Sequence, residues 1–125
     1  MTDGDPALST YRDLIDHLVS LARGCVLADR IASHGHAERT NDADASLSIA
    51  EQDRKAALLS MTADQRAAVA GLLVQERTGA IHDVLANLPA FDLELAGRPF
   101  TDLADEVPHW DFMARLDNHP WRQTD

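Results

Sequence analysis

The stretch that decides the fold class is YRDLIDHLVSLARGCV, residues 11–26. On a helical wheel its apolar side chains fall on one face and its polar ones on the other, which is the pattern of an amphipathic α-helix. The apolar face comprises Tyr11, Leu14, Ile15, Leu18, Val19, Leu21, Ala22, Cys25 and Val26. We predict a long first helix with Ser9 or Thr10 as its N-cap and Gly35 at its exit. Cys25 lies within the apolar face and is predicted to be a buried core residue.

Two capping-box patterns predict two further helices. Residues 48–51, SIAE, and residues 62–65, TADQ, each place a hydroxyl side chain three positions before a Glu or Gln, which is the spacing that begins a helix. The helix after residue 48 is expected to end near Ser60 and to have a thin apolar face. The helix after residue 62 is expected to continue to Leu88, because Pro89 cannot extend it.

The apolar spacing changes after Pro89. Residues 91–95, FDLEL, alternate apolar and polar side chains and predict a short strand, and residues 96–100, AGRPF, predict a turn after it. A last short helix is predicted from His109 to Asp117. Its wheel places on the apolar side Trp110, Phe112, Met113 and Leu116, and on the opposite side Asp111 and Arg115.

The predicted fold class is therefore mainly α, a bundle of three to four helices with a short strand and turn before the last helix. A chain of 125 residues allows one domain with one core. Within this domain, residues 1–8 and 122–125 are expected to be disordered, and residues 33–46 are expected to form a mobile loop.

A net charge of −10, from 21 acidic and 11 basic residues, restricts the class of partner. Nucleic-acid binding relies on basic groups that displace counterions, and anionic membranes repel an acidic protein, so neither partner is expected. A basic protein partner suits the sign of the charge, and a homodimer stays open. The N-terminus lacks a signal-peptide pattern and no apolar run is long enough to span a bilayer, so a cytoplasmic protein is expected. No cofactor is expected either.

The third helix contains a charged side chain in the middle of its apolar stripe. Arg77 is surrounded on the wheel by Leu73, Val74, Ile81 and Val84. An unpaired guanidinium is very costly to bury, so we predict that Arg77 is paired with a carboxylate inside the domain. Asp111 is the first choice of partner, and the other candidates are Asp16, Asp105 and Glu106. The alternative is that Arg77 extends along its own stem into solvent.

Two groups of residues suggest a metal site without reaching the required spacing. Glu76, His82 and Asp83 lie on the third helix, but no pair of them has the i,i+3 or i,i+4 spacing of helical metal ligands with a histidine. In the polar loop, His34 and His36 would need a third ligand such as Glu38. The sequence therefore predicts a solvated helix face and exposed loop histidines, with no metal.

Two tryptophans lie close to the most acidic stretch of the chain. Tryptophan is frequent at the centre of protein interfaces, and neighbouring carboxylates suit a partner with arginines or lysines. The alternative is that both tryptophans close the core. The candidate partner-binding residues are Trp110, Trp121, Asp102, Asp105 and Glu106.

The sequence contains no motif of a nucleophilic, phosphate-binding or dinucleotide-binding site. We therefore favour a non-enzymatic protein–protein interaction module, such as a regulator, an immunity- or antitoxin-type inhibitor, or an accessory subunit. The alternative is a small enzyme or a metal-binding helical bundle centred on Glu76, Arg77, His82 and Asp83.

Three segments are similar to a family of small acidic bacterial proteins of unknown function. They are residues 76–86, ERTGAIHDVLA, residues 111–116, DFMARL, with Pro120 and Trp121, and residues 62–66, TADQR. The resemblance departs between residues 91 and 108 and is faint before residue 48. It implies a fold, draws attention to the charged cluster of the third helix, and supplies no activity.

Overall fold

A computed structural model of the chain describes residues 4–37 and 47–123. These residues contain five α-helices, which are α1 (Pro6–Arg23), α2 (Val26–His34), α3 (Ile49–Leu59), α4 (Ala63–Asn87) and α5 (Pro108–Leu116). Between α4 and α5 lie two 3₁₀-helices, Leu88–Phe91 and Phe100–Leu103, and the strands β1 (Glu94–Leu95) and β2 (Arg98–Pro99). The prediction of a mainly α fold with a short strand and turn before the last helix is confirmed.

The internal contacts divide the chain into two compact units. The terminal unit combines α1 with the chain from residue 78 onward, and the middle unit contains α2, α3 and α4 up to residue 77. The single domain that the sequence suggests stays a prediction. No helix within residues 4–37 and 47–123 has both the length and the apolar character to cross a membrane.

Helix α1 begins earlier than the sequence suggests. Oδ1 of Asp5 accepts hydrogen bonds from the backbone amides of Ala7, at 2.9 Å, and Leu8, at 3.4 Å, so Asp5 is the N-cap. Pro6 then occupies the first helical position, where the missing amide hydrogen costs nothing. The prediction that Ser9 or Thr10 caps this helix is wrong, because Asp5 and Pro6 already satisfy its N-terminus.

The long first helix that the wheel predicts appears as two helices. Helix α1 ends at Arg23, and Cys25 takes an extended conformation with φ −71° and ψ 103° before α2 begins. Gly35 ends α2 in the left-handed conformation, with φ 80° and its amide bonded to Ile31 O at 3.0 Å, as expected for a glycine C-cap. Cys25 is buried, which confirms its assignment to a core.

Both predicted capping boxes form. Ser48 Oγ accepts from the Glu51 amide at 3.1 Å and Glu51 Oε1 accepts from the Ser48 amide at 3.3 Å. Thr62 and Gln65 make the same reciprocal pair, at 3.1 and 2.9 Å. Each box satisfies two amides that the helix leaves without partners, so α3 and α4 begin where the sequence places them. Helix α4 ends at Asn87, one residue before the predicted end.

Only the end of the predicted strand at 91–95 is a strand, because Phe91 ends a 3₁₀-helix and Asp92 has a positive φ of 50°, and the predicted turn supplies the second strand of a short hairpin. Strand β1 pairs antiparallel with β2, so that Glu94 lies opposite Pro99. The turn residues Ala96 and Gly97 both have positive φ, 51° and 81°. A two-residue turn with two positive φ values matches the twist of paired strands, which explains why this short hairpin closes here.

The core of the terminal unit is built on one stripe of α1. The buried residues are Ala7, Tyr11, Ile15, Val19 and Ala22 from α1, with Leu85, Phe100, Leu103 and Phe112. The α1 residues are spaced by three or four positions, which places them on one side of the helix. The real stripe is narrower than the predicted face, because Leu14 and Leu21 are 36% and 40% exposed.

The middle unit has a smaller set of buried residues. Among its described residues the buried apolar side chains are Cys25, Ala28, Ile31 and Leu47, and His36 is 6% exposed. Of the predicted loop at 33–46, residues 33 and 34 belong to the last turn of α2, and residues 38–46 lie outside the described residues.

Candidate functional site

Helix α5 packs against the core with only part of the apolar side that the sequence predicts, because Phe112 and Leu116 contact the core whereas Trp110 and Met113 are exposed. Asp111 and Phe112 are 4% and 0% exposed, whereas Trp110 is 59% exposed. The predicted orientation is therefore wrong for Trp110 and Asp111, and confirmed for Phe112 and Leu116. The helical wheel assigns the inner face from apolar content alone. In the structure the Asp111 carboxylate lies inward, because hydrogen-bond donors from α1 and from the turn before α5 contact it.

The Asp111 carboxylate accepts three hydrogen bonds. Oδ2 accepts from the Tyr11 hydroxyl at 2.7 Å and from the Asp105 amide at 2.8 Å, and Oδ1 accepts from the Glu106 amide at 3.1 Å. Donors to a carboxylate form stronger hydrogen bonds than neutral pairs, and three of them make this burial tolerable. Asp111 therefore ties α1 and the turn before α5 to the same point.

Tyr11 occupies a site that disfavours its ionised form. The pKa of Tyr11 is raised far above the ordinary value of a phenol, first by burial, then by the hydrogen bond to Asp111 and the negative charges of Asp111 and Asp105. The Tyr11 ring also packs against Phe100, with the ring centres 5.2 Å apart. Tyr11 is thus a fixed hydrogen-bond donor at physiological pH.

Arg77 is exposed, so the prediction that it is buried is wrong. The side chains around it on the wheel explain the difference, because Leu73 and Val74 are only half-buried and Val84 is 61% exposed. A guanidinium in such surroundings keeps its contact with water. Asp111, the predicted partner, instead accepts hydrogen bonds from Tyr11 and two backbone amides.

A second network surrounds the ring of Trp121. The guanidinium carbon atoms of Arg12 and Arg115 each lie 5.2 Å from the ring centre, within the range of cation–π attraction. Asp16 accepts from Arg115 Nε at 2.7 Å and Nη2 at 3.3 Å, and from Trp121 Nε1 at 3.3 Å. The arginines, the indole and the carboxylate therefore form one connected cluster on the polar side of α1.

The segment after α5, residues 117–123, is held by the same side chains, and we call it the tail. Asp105 Oδ2 accepts from the Arg122 amide at 2.6 Å, and Arg12 Nη2 donates to Arg122 O at 2.9 Å. Arg12 Nη2 also lies 3.3 Å from Asp105 Oδ1, and Arg115 Nη1 donates to His119 O at 2.8 Å. The sequence predicts that Arg122 belongs to a disordered terminus, whereas in the structure both its amide and its carbonyl oxygen are hydrogen-bonded.

The tail and α5 enclose a groove of about 610 Å³. One wall is formed by α5 and the turn before it and includes Asp105, Glu106, Trp110 and Asp111, and the other is formed by the tail and includes Trp121 and Arg122. The groove thus brings together five of the residues that the sequence singled out. Asp102 is exposed on the second 3₁₀-helix and does not line the groove.

The residues of the other predicted cluster lie along α4 and are divided between the two units. Glu76 and Arg77 belong to the middle unit, and His82 and Asp83 belong to the terminal unit. His82 Nδ1 lies 3.2 Å from Asp83 Oδ1, and the His82 ring packs edge-on against His109 at 5.0 Å. Among residues 4–37 and 47–123, no three His, Cys, Asp or Glu side chains are arranged to hold a metal ion. His36 is buried rather than exposed, and Glu38 lies outside the described residues.

The negative charge of the chain is concentrated in the terminal unit. Residues 1–23 and 78–125 contain 13 acidic residues and five arginines, a net charge of −8, and residues 24–77 account for the remaining −2. Four of the five arginines are engaged internally. Arg12 and Arg115 bind the network described above, Arg98 pairs with Asp5, and Arg23 donates to Leu116 O at 2.6 Å.

A model of a family of unknown function (DUF6547) matches residues 4–123. The chain belongs to this family. The match covers nearly all of the sequence, including the regions before residue 48 and between residues 91 and 108 where the resemblance was weakest. No curated protein and no solved structure matches the chain. The description of the DUF6547 family assigns no activity to its members.

Sequence reasoning missed the residues of this DUF6547 chain that shape the groove. Arg12 and Asp16 lie on the polar side of α1, away from the apolar face that the sequence identifies, yet they hold Trp121 and the tail. Their partners lie about 100 residues away in sequence, so no local spacing marks them. The one available signal was the proximity of Arg115, Trp121 and Arg122 near the C-terminus, a set suited to stacking and carboxylate pairing.

Proposed function

We propose that this chain is a non-enzymatic protein–protein interaction module that binds a basic partner at the groove side of its terminal unit. A regulator, an immunity- or antitoxin-type inhibitor and an accessory subunit all fit this role. Acidic surfaces attract basic proteins and accelerate their association.

The observation that carries the proposal is an imbalance between engaged arginines and exposed acids. Six exposed carboxylates of the terminal unit have no hydrogen bond or ion pair within the described residues, and they are Asp13, Asp92, Glu94, Asp102, Glu106 and Asp117. Four of the unit's five arginines are used to hold the fold together. The surface is therefore negative even where the sequence contains nearby arginines.

An exposed tryptophan at the groove supports an interface rather than a purely solvated acidic surface. Trp110 lines the groove with 59% of its surface exposed, beside the half-exposed Met113. Tryptophan and methionine are enriched in protein interfaces relative to the rest of the surface. Leaving them in water sacrifices the burial energy that a partner could recover.

The inner carboxylates of the groove favour binding over catalysis. Asp111 accepts three hydrogen bonds and Asp105 accepts from Arg122 and Arg12. A general base needs a lone pair directed at the substrate proton, and these two groups direct theirs at the protein itself. Their arrangement supports a structural role in forming the groove.

Affinity capture from the native host with matched baits tests the proposal. The wild-type chain is compared with a double variant, Asp102→Lys with Glu106→Lys, and with a control double variant, Asp53→Lys with Asp64→Lys. All four positions are exposed, and the control pair lies in the middle unit. We expect a partner that the wild type and the control retain and that the terminal-unit variant loses.

The purified partner then provides a kinetic test. Its association rate with the wild type should fall as ionic strength rises, since salt screens exposed charges beyond about 10 Å at 0.1 M. A partner that both double variants capture equally, with an association rate independent of salt, would show that the acidic surface does not recruit it.

A further inference from the structure

We infer that the groove recognises an arginine side chain of the partner, which stacks its guanidinium on Trp110 and pairs with Glu106. This inference rests on the proposed function and names the chemistry of the contact. It follows from which groups of the groove are already engaged and which are not.

Glu106 is the acidic residue of the groove whose carboxylate is available. Asp111 accepts from Tyr11 and two amides, and Asp105 accepts from the Arg122 amide and Arg12. The Glu106 side chain is exposed and makes no hydrogen bond or ion pair within the described residues. A cation that enters the groove therefore meets one unpaired carboxylate.

Trp110 supplies the second half of a cation site. Its indole is 59% exposed and lines the same groove as Glu106. The face of an indole ring attracts cations more strongly than the other aromatic rings do. The groove, at about 610 Å³, lies within the size range of sites that hold an extended side chain with its neighbours.

Trp121, on the opposite wall, takes part in the same combination with its cation in place. Arg115 lies 5.2 Å from the centre of the Trp121 ring while its Nε donates to Asp16 at 2.7 Å. One tryptophan, one carboxylate and one arginine thus form a stable unit in this protein. Trp110 and Glu106 provide the tryptophan and the carboxylate of such a unit, and the partner would supply the arginine.

Arginine suits this site better than lysine. The planar guanidinium can stack on an indole and still donate in its own plane to a carboxylate, whereas an ammonium group is more strongly hydrated and cannot stack. The groove is open to water, so the difference in hydration weighs against lysine. The partner segment is accordingly expected to present arginine at the contact.

Titration of the full chain with three capped pentapeptides tests the inference. The peptides are Gly-Arg-Gly-Arg-Gly and its versions with lysine or with glutamine in place of arginine, and the signals are the two tryptophan indole N–H resonances in a nitrogen–proton correlation spectrum. The variant Trp110→Phe assigns these resonances. We expect the arginine peptide to shift the Trp110 signal, the lysine peptide to bind at least about threefold more weakly, and the glutamine peptide to have no effect.

Three variants locate the contact. Glu106→Gln and Trp110→Leu should each weaken the arginine peptide at least about threefold, and Asp102→Asn, which removes a neighbouring charge outside the groove, should have a smaller effect. All three positions are exposed, and circular dichroism checks that each variant folds.

The outcomes separate this inference from the proposed function. Equal binding of the arginine and lysine peptides, or arginine binding that survives both Glu106→Gln and Trp110→Leu, would overturn the arginine site. The proposed function would still stand if the captured partner keeps its dependence on the acidic surface. It would fail if that dependence is absent, whatever the peptides do.

Discussion

The buried hydroxyl of Tyr11 should make the protein lose stability at alkaline pH. Tyr11 is the one tyrosine of the chain, and burial together with Asp111 raises its pKa in the folded state. In the unfolded chain the phenol ionises at its ordinary pKa of about 10. Above that pH the unfolded state binds fewer protons than the folded state, so the free energy of unfolding falls.

The size of the effect follows from the linkage of protonation to folding. The stabilising contribution is fully present below the unfolded pKa, and each further pH unit removes about 1.4 kcal/mol while the folded phenol stays protonated. Between about pH 9 and pH 12 the loss amounts to about 2.7 kcal/mol, a large share of the 5–15 kcal/mol typical of a small protein.

Comparison with Tyr11→Phe isolates this contribution. The substitution removes one hydroxyl and keeps the ring that packs against Phe100. It should cost about 1.5–3 kcal/mol at neutral pH, because it deletes a hydrogen bond to a carboxylate. Other pH-dependent contributions are common to both proteins and cancel in their difference.

Urea unfolding followed by circular dichroism at several pH values measures the difference. We expect the stability gap between the wild type and Tyr11→Phe to close by about 2.7 kcal/mol between pH 9 and pH 12. Phenolate absorbance of the wild type should appear only as the protein unfolds. A gap that stays constant over this range, or a phenol that ionises in the folded protein near pH 10, would refute the reasoning.

Three further predictions follow from the same contacts. Asp111→Leu should lower the free energy of unfolding, measured by urea unfolding, by about 3–5 kcal/mol, because it leaves a hydroxyl and two amides without an acceptor. A decrease below about 1 kcal/mol would contradict this. Arg77→Met should cost less than about 1 kcal/mol, and Arg12→Met should cost more because Arg12 holds Asp105, Arg122 and Trp121. The reverse order of losses would be inconsistent with an exposed Arg77. The thermal melt should be unchanged by a chelator, and stoichiometric zinc, iron or manganese in elemental analysis, with a melt that collapses in chelator, would contradict this.

Features encoded by residues close in sequence could be predicted. The capping boxes at 48–51 and 62–65, the exit of α2 at Gly35 and the hairpin after Pro89 all depend on residues within a few positions of each other. Their side chains and backbone conformations act locally, so spacing alone identifies them. The prediction that the chain belongs to a family of unknown function is also confirmed.

The orientation of α5 could not be predicted in the same way. Its wheel offers two sides, and apolar content favours the one that contains Trp110 and Met113. The side that is buried includes Asp111, because a phenol on α1 and the amides of Asp105 and Glu106 converge on its carboxylate. No periodicity within α5 contains information about donors that approach from other elements. The burial of Arg77 was predicted wrongly for a related reason. A helical wheel shows which side chains surround a residue but not how deeply those side chains are buried.

Some acidic residues of the groove stabilise the fold and others are exposed for binding. Mutations can therefore test stability and binding separately. Asp105 and Asp111 direct their oxygens inward, at the tail, α1 and the turn before α5, so their loss should be measured first in the free energy of unfolding. Glu106 and Trp110 face solvent, so their loss should leave stability nearly unchanged. A binding defect in Glu106→Gln at full stability would therefore report a lost contact, whereas a defect in Asp111 variants would report a deformed groove. Peptide binding by these variants therefore reports on the contact itself, without a known partner.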